Sequence, residues 1–372
     1  MLTELKNLTK KQKIWYALFG AIILIYPLLP FEGYYIGDIP LGVINNEYTM
    51  HVAVLMLLYM LLSCGLNIIP GYTGLLDLGY VGFYGIGAYT SGLLTVKFAA
   101  MAFPLGLLGN FWVILGLAAI NGAIWGILLG APTLRLTGDY FAIVTFGFSE
   151  LVVLIILNES EITNGPIGVR GITAPTLGPF EFSSERSYYY LILFLLIVSI
   201  VLLKRLENSK IGRAWFAIRE NEIAAEAVGI NIIKYKVTAF AISASIAAVG
   251  GAFYARWMLF ISPDMFKFWE SVLILCMIIL GGLGSIRGVI LGAFILTGLS
   301  EVLRGVIPLL EGATGMELGG ARYAIYGIVL IIMMRFRPEG LLPATRVRGE
   351  MHPVTDAVLN AQTEAFWDKR SL

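Results

Sequence analysis

Ten stretches of this chain are apolar for long enough to cross a bilayer as helices, and that succession governs what the chain can fold into. They run near residues 14–29, 50–69, 74–96, 111–131, 139–157, 188–203, 237–257, 270–286, 288–305 and 322–334. A hydrocarbon core of about 30 Å takes about 20 residues of helix, fewer or more with tilt. The overall balance agrees: 58% of residues are hydrophobic and 14% charged, with a mean hydropathy of +0.81. The expected fold is an all-α, polytopic membrane protein with about ten transmembrane helices and both termini on one face. Lys6, Lys10, Lys11 and Lys13 precede the first apolar run, but YPLLPFEGYY follows it without a small-x-small cleavage site, so this run reads as an uncleaved first span.

The charges orient the bundle. With the N-terminus inside, the inner segments hold nineteen of the 26 Lys and Arg residues and the outer segments seven, which places both termini in the cytoplasm. The expected parts are a cytoplasmic N-terminal segment over 1–13, a transmembrane domain over 14–336 and a cytoplasmic tail over 337–372. The one long charged segment between apolar halves, 204–236, reads KRLENSKIGRAWFAIRENEIAAEAVGINIIKYK and lies on the same inner face.

Read as a single helix from Ile211 to Val228, that segment puts Ile211, Ala214, Trp215, Ile218, Ala225 and Val228 on one stripe. Arg213, Arg219, Glu220 and Glu226 fall largely elsewhere. Asn208 or Ser209 caps its start, and Gly229 stands where a helix ends in the left-handed conformation. A short amphipathic helix outside the membrane suits docking into a partner's groove or lying on lipid headgroups.

Glycine is dense within the apolar runs. Gly122, Gly126 and Gly130 form one GxxxGxxxG, and Gly284, Gly288 and Gly292 another, a pattern that lets helices approach closely. GYTGLLDLGYVGFYGIGAYTSG, residues 71–92, is different because its glycines are interleaved with Asp77, Tyr80 and Tyr84. A carboxylate at membrane depth faces a cavity or a partner, and broken helices of this kind line transport paths; Asp77 also suits an inner-interface position bonded to a neighbouring helix. Asp139 and Glu150, eleven residues apart, share one helical face, with Asp139 read as an inner cap and Glu150 as a path-lining residue. The outer loops, 30–49 and the Gly-, Pro- and Ser-containing 158–187, read as ordered surface loops able to receive a partner.

Other chemistry is missing from the sequence. There is no GxxxxGK[ST], HExxH or GxSxG, so an ATP-driven process would need its ATPase on another chain. Cys64 and Cys276 lie in apolar runs and read as packing residues. His51 and His352 have no companion at metal-ligand spacing. No basic patch suits nucleic acid.

GYTGLLDLGYVGFYGIGAYTSGLL, LRLTGDYFAIVTFGFSE, NESEITNGPIGVRGI, SKIGRAWFAIRENEIAAEAVGI, KYKVTAFAISASIAAVGGAFYA, ISPDMFKFWESVLILCMIILGGLGSIRGVILGA and FRPEGLLP occur in that order between Gly71 and Pro343. Together they resemble the LivM-type permeases of bacterial branched-chain amino acid ABC importers. The resemblance implies a multi-pass subunit of the bacterial inner membrane that works with a second, related permease, two ATP-binding cassette subunits and a periplasmic or lipid-anchored amino-acid-binding protein. It implies no cofactor on this chain, ATP on the partners, and membrane lipid around the bundle. It makes 204–236 the coupling loop, with Arg213, Arg219, Glu220, Glu222, Ala224, Ala225 and Gly229 toward the ATPase. Ala224, Ala225 and Gly229 match the small positions of the family's EAA motif, while its glutamate falls one place early, at Glu222, and its later I-x-L-P element is missing. Asp77, Tyr80, Tyr84 and Glu150 are the expected substrate-path residues. A urea or short-chain amide permease is the near rival, and an ion-coupled transporter acting alone the distant one.

Overall fold

In a computed structural model of the chain, the described residues are 27, 35–36, 39–40, 46–97, 110–133, 139–177, 180–314 and 321–344. The expected first span and most of the tail lie outside them. Two compact units divide the chain, Met1–Val272 and Leu273–Leu372.

The first unit opens with a small antiparallel pair, β1 (Tyr35–Ile36) and β2 (Ile39–Pro40), and then α1 (Glu47–Leu66). The helix α1 runs on into a π-helical turn, Ile68–Thr73, which Gly74 ends at φ +74°. After a non-helical link come α2 (Tyr80–Val96), α3 (Phe111–Thr133) and α4 (Asp139–Asn158). A connecting region follows, with α5 (Ser160–Thr163) and the strands β3 (Val169–Arg170), β4 (Thr176–Leu177) and β5 (Phe180–Glu181). The rest of the unit is α6 (Glu185–Glu207), α7 (Lys210–Glu220), α8 (Glu222–Ala227), α9 (Ile232–Met258), β6 (Phe260–Ile261) and the start of α10 (Phe268–Gly281).

The centre of this unit is α9. Its small residues Ala239, Ser243, Ala244, Ala247, Ala248, Gly250 and Gly251 are buried, and three helices close on them. A Cβ at Gly122 would lie 2.6 Å from the Ala244 carbonyl oxygen, and one at Gly126 2.9 Å from that of Phe240, so the first GxxxGxxxG is the seam between α3 and α9. On another side, a Cβ at Gly87 would lie 2.1 Å from the Ala248 oxygen and one at Gly251 2.0 Å from the Tyr84 oxygen. At the third, Ser243 Oγ donates to the Gly65 carbonyl of α1 at 2.9 Å. Backbones this close leave no room for side chains between them, the packing that apolar surroundings favour over hydrophobic driving force. Conversely, Ile120, Ile124, Leu128, Ile143, Leu151 and Phe194 on α3, α4 and α6 are exposed, as apolar side chains are where lipid or another membrane chain covers them.

One end of α9 is tied to the connecting region. Strand β3 pairs with β6, Val169 opposite Ile261, and Gly168 at φ +74° lets the two backbones meet. Arg256, fully buried, donates from Nη1 to the Thr173 carbonyl at 3.0 Å.

The second unit comprises the remainder of α10, α11 (Ile286–Thr314), α12 (Ala321–Phe336) and residues to 344. The second glycine series works as the first does: a Cβ at Gly292 would lie 2.1 Å from the Met277 oxygen, and one at Gly288 2.4 Å from that of Gly281. Gly284 itself makes the turn, at φ +78°. The Arg337–Gly340 turn seals this crossing, since Leu341 N and Leu342 N donate to the carbonyls of Leu280 and Gly281.

Among the described residues, six helices are long and apolar enough to cross a membrane: Glu47–Thr73, Phe111–Ala131, Tyr140–Asn158, Glu185–Glu207, Ile232–Met258 and Ile286–Pro308. Among the described residues helix is the dominant structure, and strands are confined to the three two-residue ladders. The expected spans 74–96 and 270–286 are shorter as helices, 17 and 14 residues long, because glycine-containing links occupy 74–79 and 282–285.

Candidate functional site

Ser209 opens α7 as the sequence suggests, its Oγ accepting from the amides of Ile211 and Gly212. Trp215 then anchors the helix: it is fully buried, and its Nε1 donates to the Tyr235 carbonyl at 2.7 Å. Tyr72 of the π-helical turn stacks on Trp215, with ring centres 6.3 Å apart, and meets Phe216 edge-on at 5.2 Å. Ala214 and Ile218 complete the buried stripe.

The single helix expected over 211–228 is two helices. Asn221 adopts an extended conformation, φ −162° and ψ 111°, and its side chain accepts from Ala224 N, so it ends α7 and caps α8. Asparagine side chains compete with the helical ladder in this way. The break turns the second half off the common stripe: Ala225 stays buried, but Val228 is 77% exposed and Ile223 81%. Gly229 closes α8 at φ +85°, where its N–H donates to Glu226 O and Ile230 N donates to Ala225 O.

The predicted loop residues divide accordingly. Arg213, Glu220, Ala224 and Gly229 are exposed, and Ala225 is buried. Arg219 turns inward, its Nη1 donating to the Gly71 carbonyl at 2.6 Å. Glu222 pairs with Lys236 Nζ at 2.6 Å, and Asn231 caps the following α9 by accepting from Lys234 N. Lys236 was not picked out from the sequence, and Val228, expected on the buried stripe, is exposed along with Ile223. The asparagine three residues before Ala224 is the signal that would have exposed the break.

Arg219 thus leads to the second group. Asp77 sits fully buried in the link 74–79, where its Oδ1 accepts from Gly79 N at 2.8 Å, a turn bond within its own segment. Leu78 N donates to Thr145 Oγ1 at 3.1 Å, and a Cβ at Gly79 would lie 2.1 Å from the Thr145 carbonyl oxygen, so α4 holds the link from one side. Tyr80 is fully buried with its hydroxyl against Gly65, where a Cβ would come within 2.3 Å of it. Tyr84 packs against Tyr254 at 5.6 Å and Phe266 at 5.2 Å. Glu150 is half-buried near Lys267, whose ammonium has its pKa raised by the hydrogen bond and charge of Asp264, with Glu150 adding to the effect. Asp77, Tyr80 and Tyr84 therefore occupy one continuous segment, and Glu150 belongs with the Asp264–Lys267 pair. Asp139 opens α4, and its side chain lies outside the described set. Cys64 and Cys276 are free and buried. Among the described residues no cluster of three His, Cys, Asp or Glu side chains is arranged to hold a metal ion.

No solved structure matches the chain. The high-affinity branched-chain amino acid transport system permease protein LivM of Escherichia coli K12 is 37% identical over 93% of this chain and 78% of its own length. The probable branched-chain amino acid transport permease protein LivM of Methanocaldococcus jannaschii is 28% identical, over 77% of this chain and 90% of its own. The permease protein LivH of the Escherichia coli system is 25% identical, over 76% and 91%. Residues 48–334 match the family model described as branched-chain amino acid transport system / permease component, and with that match the chain belongs to this family of multi-pass membrane permeases.

Proposed function

We propose that this chain is the membrane-spanning permease subunit of an ATP-driven importer of branched-chain amino acids, forming part of the solute path and taking its driving force from separate ATPases. Its family and its 37% identity to a branched-chain amino acid permease carry the substrate class. One structural observation carries the coupling: a two-helix loop locked to the bundle by Trp215 presents Ile223 and Val228, 81% and 77% exposed, beside Ala224 and Gly229. Exposed apolar side chains next to small residues suit docking into a partner's groove. The sequence holds no nucleotide-binding loop, so hydrolysis belongs to the partners, and no residue here makes or breaks covalent bonds.

The reading includes ten spans in the bacterial inner membrane with both termini and the 204–236 loop in the cytoplasm. It also includes a second permease of the same family, two ATP-binding subunits and an amino-acid-binding protein outside. The relative LivH, named for the same Escherichia coli system as LivM, supports the pairing of two different permeases. ATP-driven closure of the ATPase pair then moves the loop as a rigid body, and the exposed apolar faces of α3, α4 and α6 meet lipid or the second permease.

Affinity purification of the tagged chain from native membranes in mild detergent is expected to bring down a second permease and the ATPases in stoichiometric amounts. Ile223→Glu with Val228→Glu is expected to insert normally yet lose the ATPases, because two charges cannot enter an apolar groove unpaired. Recovery of wild-type chain alone would overturn the reading and favour a transporter that works by itself. A cysteine at position 223 is expected to react with an impermeant maleimide from the cytoplasmic face only, which checks the orientation.

A further inference from the structure

We infer that Arg219 is a positioning residue that ties the loop facing the ATPases to the break in the membrane helix above it, so that movement of α7 is delivered to the segment carrying Asp77 and Tyr80. The inference rests on the permease reading and adds to it the route by which force enters the solute path.

Four observations meet at this point. Arg219 Nη1 donates to Gly71 O at 2.6 Å, and a guanidinium at the C-terminal end of a helix complements the carbonyls left there without helical partners. Gly74, in the left-handed conformation that ends the π-helical turn, packs against the stem of Arg219: a Cβ there would lie 3.1 Å from its Cγ. Tyr72 lies against both Trp215 and Phe216, so the turn is gripped by the aromatic face of α7 as well as by the charge. Three residues beyond Gly74 stands Asp77, and the same strand of backbone, held by Thr145, enters α2 at Tyr80.

This geometry separates two kinds of loop residue. Ile223 and Val228 face outward and receive a partner, whereas Arg219 faces inward and makes no part of that surface. The π-helical turn is the compliant element, since such turns interrupt the regular helical ladder and are frequent at functional sites. A rigid α7 moving against it draws Gly71 and Tyr72 along, and the link 74–79 follows because its glycine ends permit it.

The test uses the whole complex in proteoliposomes with leucine as solute, and compares wild type with Arg219→Ala, Arg219→Gln and Arg219→Lys. The readouts are the amount of ATPase subunit retained, the ATP hydrolysis rate and the leucine taken up per ATP. Arg219→Ala is expected to keep its ATPases and to hydrolyse ATP at a rate close to wild type. Its uptake per ATP should fall by about tenfold, the factor associated with losing one charge-assisted hydrogen bond. Arg219→Lys, which keeps the charge and one donor, is expected to recover most of the ratio, and Arg219→Gln to fall between. Uptake and hydrolysis falling together at an unchanged ratio would overturn the inference, as would normal uptake in Arg219→Ala. So would absence of all three variants from the membrane, because Arg219 would then serve folding alone. A wild-type complex without ATPases would instead sink the permease reading, before any Arg219 variant is compared.

Discussion

Gly251→Leu is expected to remove nearly all of this protein from the membrane, while Gly116→Leu leaves its level unchanged. A Cβ at 251 would stand 2.0 Å from the Tyr84 carbonyl oxygen and 2.7 Å from the Ala88 amide, backbone atoms of α2 that cannot swing aside. On the other face of the same crossing, Gly87 meets the Ala248 carbonyl oxygen at 2.1 Å in the same sense, so α2 cannot retreat without opening the centre of the first unit. Overpacking against movable side chains costs about 1–3 kcal/mol. Against backbone on both sides the cost is about 3 kcal/mol or more, a large part of a stability of about 5–15 kcal/mol. At Gly116 a Cβ meets nothing within 4 Å, so the same leucine adds only exposed apolar surface. Fluorescence-detected size exclusion of tagged variants in mild detergent reads the contrast directly. Equal levels of the two variants would show that α2 and α9 do not cross as described.

The pair Gly87 and Gly251 marks how far the sequence could be read. The spacing of Gly122, Gly126 and Gly130 was visible as a close-packing seam, but nothing local names α9 as the helix it faces. Gly251 belongs to no such series, and its role depends on a helix more than 150 residues upstream, beyond the reach of periodicity. Apolar length located the described helices, though not their ends, because hydropathy does not distinguish helix from a glycine-rich link: α2 begins at Tyr80, and Asp77 lies in the link before it. In the loop, the caps at Ser209 and Gly229 were legible from residue type alone. The break at Asn221 was signalled by residue type too but masked, since the apolar positions on either side still fit one helical period, and with it went the exposure of Ile223 and Val228. Arg219 read as a residue off the apolar stripe, turned toward the ATPase, because its acceptor, the Gly71 carbonyl, is a backbone atom 148 residues away.

The loop's second tie has an asymmetry that mutation can expose. Lys236 is 2% exposed at its side chain and Glu222 41%, with 2.6 Å between them. Deleting either member breaks the same bond but leaves different remnants. Glu222→Ala strands an ammonium on a side chain buried from water, and an uncompensated buried charge is the costly outcome. Lys236→Met preserves most of the buried stem and leaves a carboxylate already half in solvent. Breaking fully buried pairs costs about 3–5 kcal/mol. With one partner in contact with water, about 2 kcal/mol is expected for Glu222→Ala and under about 1 kcal/mol for Lys236→Met. For the solubilised protein this is a melting temperature lower by roughly 3 °C in the first variant and roughly 1 °C in the second. Combining the two removes the stranded charge, so the double variant should melt near Lys236→Met, well above the sum of the single losses. Additive losses would mean that the contact carries no coupling between α8 and α9, and a Lys236→Met as damaged as Glu222→Ala would mean that no buried charge is stranded. The expected pattern would make Glu222 the residue through which α8, bearing the exposed Ile223, is tied to the central helix, in parallel with the tie that Arg219 makes to the π-helical turn.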